Sequence, residues 1–232
     1  MNFFMNKLII FIFIFLFFFH NLVVAHTFHY QDFKKIEMEI FKDGKVIGYN
    51  YYFFTKEKDV LTIKNQIRFK VNLFGVEVLN VEGYGIEKYK KNKLISFKSK
   101  TLQNGKEKFV NLIYNHEKDK FNIIGSSYTG LADSDHIVGN WWNHQILQAN
   151  SQISPVSGRI KDQIVTFLGK KKIKHFEKII EVDHFKLTTK NKKNSKDKSL
   201  NFDIWYDSKN NVITKVSYSK LGNWEYRLKS YK

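Results

Sequence analysis

The chain has no cysteine and a single proline, Pro155. The first absence excludes disulfides, thiolate metal sites, a thiol nucleophile and an acylated N-terminal cysteine. A domain of this size buries enough surface to stand without cross-links. Arginine is nearly as scarce: of 39 cationic residues, only Arg68, Arg159 and Arg227 are not lysine. Bidentate phosphate recognition favours arginine, so the formal charge of +17 reads as a solvated lysine face and excludes a nucleic-acid partner. Peripheral contact with an anionic membrane surface fits the same charge. A nucleophile elbow, a phosphate loop and a dinucleotide fingerprint are also missing. No cofactor and no metal are expected.

One long hydrophobic run is present, Leu8 to Phe19, preceded by Lys7 and followed by His20-Asn21 and Val23-Val24-Ala25. Its length and small-residue ending predict a cleaved export signal over residues 1–25. It is short of the roughly 20 residues that span a bilayer. A periplasmic address follows, with one β-rich domain over residues 26–232.

Period-two alternation dominates that domain. Ile36, Met38 and Ile40 share one face of a strand, with Lys35, Glu37 and Glu39 on the other. Leu61, Ile63, Ile67, Phe69, Val71 and Leu73 do the same with Arg68, Lys70 and Asn72. Asp43-Gly44 and Asn104-Gly105 are hairpin turns, because both pairs tolerate positive φ. Gly83 and Gly85 suggest a bulge or bend. Strands are read over 159–168 and 173–187, and Thr188 to Lys198 as an exposed basic loop. Trp205-Tyr206-Asp207 reads as a strand end entering a turn.

The fold class is therefore all-β: a single antiparallel meander of about 10–12 strands, curved into a half-barrel or barrel. It is interrupted between Ser127 and Gly158 by an irregular insertion. Within it, Trp142, Ile146 and Ala149 lie on one face of a possible short helix. A membrane-spanning barrel needs an apolar outer face, which Lys35, Arg68, Lys70 and Lys229 oppose.

The insertion also concentrates the reactive side chains. Asp135, His136 and His144 are the catalytic candidates, as a His/Asp general base or metal-assisted hydrolase acting on envelope material. Their spacing matches no established metal motif, and Asp133 with Ser134 equally makes a turn or cap. Trp141, Trp142 and Asn143 are candidates for ligand binding at the mouth of a cavity. His26 and His29, near the processed N-terminus, are expected at the surface.

Asp43-Gly44-Lys45-Val46-Ile47-Gly48, Thr101 with Asn104-Gly105, Asn140-Trp141-Trp142-Asn143, Ser157-Gly158 and Ile204-Trp205-Tyr206-Asp207 occur in this order. Together they resemble a family of exported bacterial proteins, mainly alphaproteobacterial, that carries a domain of unknown function. Such proteins commonly have His-Trp-Asn where this chain has Trp141-Trp142-Asn143. The resemblance implies a periplasmic, all-β domain and assigns no catalytic residue. More distantly, the pattern is similar to lipoprotein-carrier half-barrels, whose sheet wraps a lipid-binding cavity.

Three functions follow as expectations. The first is a non-enzymatic binder of a hydrophobic or lipid-like ligand, in a cavity lidded by the Trp141-Trp142 segment. The second is the hydrolase, and the third a structural partner of envelope complexes.

Overall fold

Alternating burial runs through nearly every strand. In β1 (Lys35–Lys42), Ile36, Met38 and Ile40 are buried between partly exposed neighbours. In β2 (Lys45–Glu57), Asn50, Tyr52 and Phe54 face the same interior. One buried face and one wet face make a half-covered antiparallel sheet. The structure, a computed structural model, describes residues 28–190 and 199–232. Residues 1–27, which include the span predicted as an export signal and His26, and positions 191–198 lie outside the described residues.

Fifteen strands form one sheet. From β1 the order runs outward on one side through β2, β3 (Val60–Leu73), β4 (Val76–Lys90), β5 (Lys93–Gln103) and β6 (Lys106–Asn115). It ends on that side with β7 (Lys120–Gly125) and β8 (Tyr128–Asp133). On the other side of β1 lie β15 (Asn223–Tyr231), β14 (Val212–Ser219), β13 (Asn201–Asp207), β12 (Lys178–Thr189) and β11 (Ile160–His175). Two short strands, β10 (Ser151–Ile153) and β9 (Ile137–Val138), finish that side. All neighbours are antiparallel except β9 and β10.

Asp43-Gly44 and Asn104-Gly105 take positive φ at both turn positions, as two-residue hairpins of this twist require. The Asp207 carboxylate accepts from the backbone N–H groups of Lys209 and Asn210 at 3.0 and 3.2 Å, closing the turn read at that strand end.

Several expectations need correction. The segment 127–158 contributes three strands, β8, β9 and β10, which raises the count above twelve. The short helix is only one 3-10 turn, His144–Leu147, capped by Asn143. Strand β11 continues past residue 168 to His175, with Gly169 at a register shift. The turn falls at Phe176-Glu177, where Phe176 takes φ 53. At Gly83 and Gly85 the register of β4 with both neighbours is unbroken.

The interior is filled at one end by Trp142, which Tyr30, Phe54 and Tyr89 meet edge-on at ring-centroid distances of 5.0, 5.5 and 5.7 Å. Offset and edge-on ring pairs add to the burial of these large side chains. A second buried group, Ile146, Leu187, Ile204, Ile213 and Val216, seals the C-terminal half.

Candidate ligand-binding cleft

The segment 139–158 contributes only β10 to the sheet; the rest of it is irregular, and the sheet holds it by side chains. The Tyr52 hydroxyl of β2 accepts from Trp141 N–H at 3.2 Å. From β5, the Ser99 hydroxyl donates to the Pro155 carbonyl at 2.6 Å. Gln163 of β11 donates through Nε2 to the carbonyls of Ile146 and Ala149 at 2.8 and 2.9 Å.

The fourth tether is Glu87 of β4. Val81, Gly83, Gly85, Glu87 and Tyr89 occupy one phase of that strand and all are buried. Glu87 is 3 % exposed. Its Oε1 accepts from Asn140 Nδ2 at 2.7 Å and Trp142 Nε1 at 3.0 Å, and its Oε2 accepts from the Tyr89 hydroxyl at 2.8 Å. Burial pushes the carboxyl up to about 7, against the bonds from Trp142 and Tyr89 that favour its charge. The group thus sits near balance between acid and carboxylate at neutral pH. Either form keeps the three bonds, since a protonated Oε2 can donate to the Tyr89 oxygen.

Beside this tether lies a polar recess of about 170 Å³. Asn50 Nδ2 donates to the Tyr52 hydroxyl at 2.8 Å, and Asn65 Nδ2 donates to Asn50 Oδ1 at 2.6 Å. Gly83 and Gly85 make room for the recess. A Cβ at Gly83 would stand 2.9 Å from Ile67 Cγ2, and one at Gly85 3.4 Å from Phe97 Cε2.

The recess adjoins a second, apolar trough of about 560 Å³. Ile67, Thr101, Val156 and Tyr226 line both. Val71, Leu79, Val81, Tyr218 and Trp224 complete the trough walls. Burial pushes the Tyr226 phenol up to about 12, so it stays a neutral hydrogen-bonding group. The cleft can therefore take a molecule that is apolar along most of its length and polar at one point.

The predicted site residues separate into three places. Trp141 lines the recess. Trp142 is core, and Asn143 is buried where its Oδ1 accepts from Gln145 N–H at 3.0 Å. His144 is also interior: its Nδ1 lies 3.0 Å from the Tyr30 hydroxyl, and its ring stacks on Tyr206 at 5.3 Å. His29 packs at 3.9 Å on Tyr30 and 4.9 Å on His144, so the expectation of a surface histidine is corrected. Asp135 and His136 meet elsewhere, Oδ1 to Nδ1 at 3.0 Å. With Asp133 they form a small cluster of two exposed carboxylates and a half-buried imidazole. There the Lys120 ammonium already donates to Asp133 at 2.8 Å, occupying with a cation the carboxylate a metal would need. The catalytic trio thus does not converge.

Sequence reasoning missed Glu87. The signal was available: a carboxylate in the inward phase of β4, between Gly85 and Tyr89.

Residues 38–229 match the DUF6134 domain of unknown function. The chain belongs to this family. No curated protein matches it. Among solved structures it is similar to a β-barrel-like protein of the DUF1849 domain of unknown function from Brucella abortus. That likeness has a TM-score of 0.62 at 9 % identity and covers 85 % of this chain and 96 % of that one. At such identity it concerns the fold alone: an all-β, barrel-like sheet.

Proposed function

We propose that this DUF6134 protein is an exported, periplasmic, non-enzymatic binder of a lipid-like ligand. The observation that carries this reading is an apolar trough of about 560 Å³ set beside a polar recess, with Ile67, Thr101, Val156 and Tyr226 lining both. The trough falls within the range of small-molecule sites, about 300–1,000 Å³. An acyl chain lying against Val71, Leu79, Val81 and Trp224 gains roughly 25 cal/mol per Å² of apolar surface removed from water. A hydrogen-bonding group at its inner end meets the amides of Asn50 and Asn65. The Trp141-bearing segment serves as the wall dividing this cleft from the core. A hydrolytic reading draws no comparable support, since His144 lies apart from Asp135 and His136.

Binding of a fluorescent fatty acid, followed by titration, tests the reading. Leu79→Trp fills the trough and is expected to weaken binding at least tenfold while the melting temperature holds or rises. Absence of binding by the wild type, together with only ligand-free protein in native mass spectra of periplasmic extracts, overturns the proposal.

A further inference from the structure

We infer that the hairpin tips around the mouth of the trough dock onto an anionic phospholipid bilayer. This inference adds a partner to the ligand-binding reading, and the experiment below separates the two.

The β3–β4 and β14–β15 turns stand at the same end of the sheet as Asp43-Gly44 and Asn104-Gly105, because the strands between them alternate in direction. Phe74, at the β3–β4 tip, is 105 % exposed, and Leu221, at the β14–β15 tip, is 92 % exposed. Val46, Leu73, Val76 and Val78 beside them are also exposed. Leu73, Val78 and Leu221 reach the trough lining, so the tips and the mouth form one apolar rim.

Neither local geometry nor solvation accounts for these residues. Phe74 and Leu221 take φ 50 and 51, a left-handed conformation that bulky side chains avoid. At the position equivalent to Phe74 in the neighbouring two-residue turns the chain uses Asp43 (φ 49) and Asn104 (φ 49), the residue types that tolerate it. A ring held wholly in water at a disfavoured backbone position stabilises nothing within the fold. It suits a group that is buried in something else.

Charge identifies that partner. Lys42 and Lys70 are paired with Asp43 and Glu77. Lys45, Lys106 and Lys220, on three tips of this end, form no ion pair among the described residues. Apolar tips flanked by unpaired ammonium groups match an interface in which hydrocarbon lies beneath anionic headgroups, where each lysine adds attraction within a Debye length.

The test is co-sedimentation of the protein, as the cell processes it, with phosphatidylglycerol-containing and with pure phosphatidylcholine vesicles. Phe74→Asn with Val76→Thr is the paired variant. Asparagine suits φ 50 better than phenylalanine, so this variant is expected to melt no lower than the wild type. Neither residue lines the trough, so fatty-acid binding without vesicles is expected to stay the same. Wild-type protein is expected to bind the anionic vesicles at least tenfold better than the neutral ones, with the preference falling as salt rises. The variant is expected to lose at least tenfold. Equal binding to both vesicle types, or anionic binding that the variant retains, overturns the inference. So does a concentration-dependent dimer that the variant dissolves in the absence of any vesicle binding.

Discussion

The two ends of the sheet's interior are built from the same material and come to opposite results. At the insertion, Trp142 enters the interior and the rings of Tyr30, Phe54 and Tyr89 close on it. At the other end Phe69, Tyr218 and Trp224 also pack ring to ring, yet they border a trough. Aromatic content therefore does not decide between core and cleft. The path of one irregular segment does, because a curved sheet of this width leaves more space than its own side chains fill.

The sharpest way to break this contrast is to remove the filler. Trp142→Ala is expected to cost about 3–5 kcal/mol, the range for large aromatic truncations in a packed interior. Tyr218→Ala, at the open end, is expected to cost less than half as much, since one side of that ring already lacks packing partners. Denaturant unfolding of both variants measures the gap, and equal losses would mean that the two ends do not differ in packing.

Next in size is the effect of pH on the closed end. Glu87 is raised to about 7 from an ordinary value of 4.5, chiefly by burial. Below about pH 4.5 the group is protonated in both folded and unfolded chains, and its contribution is fully present. As pH rises from there through 7 the unfolded chain ionises more readily, and on the order of 3 kcal/mol is lost. Glu87→Gln retains the three bonds in neutral form, so its stability curve is expected to lack this fall. Subtracting the two curves between pH 4.5 and 7.5 isolates Glu87 from the surface carboxylates, which ordinary ion pairs push downward. A flat difference would remove the buried tether from the account.

The smallest test concerns the boundary between the ends. Gly83→Ala pushes against Ile67, and about 1 kcal/mol of destabilisation is expected, at the low end for overpacking. Gly85→Ala meets only ordinary contact at 3.4 Å. It is expected to be neutral or slightly stabilising, because alanine loses less backbone freedom than glycine. Thermal melts of the pair read the difference directly.

Most of the sheet was legible from alternation, since strands such as β1 and β4 carry one wet and one buried face. The failures cluster where that signal fades. Strands β9 and β10 are too short to show a period, and Phe176-Glu177 carries none of the usual turn residues. The pairing of Asp135 with His136 was local and visible, whereas the partner of His144 is Tyr30, more than a hundred residues away in sequence. Glu87 was passed over for a related reason. A lone carboxylate in an apolar phase becomes meaningful only when Asn140 and Trp142, from a distant loop, are seen to reach it.

The neighbours β1 and β15 lie in the middle of the sheet, with Ile36 facing Tyr231. The earliest and latest strands of the domain thus form its central seam. A chain growing from its N-terminus therefore builds two separate flaps, with β1 and β14 as unpaired flanks. Only the final strand zips them together. Deleting residues 223–231 would be more than a trim of the tail, for it would leave two raw strand edges facing each other across the missing seam.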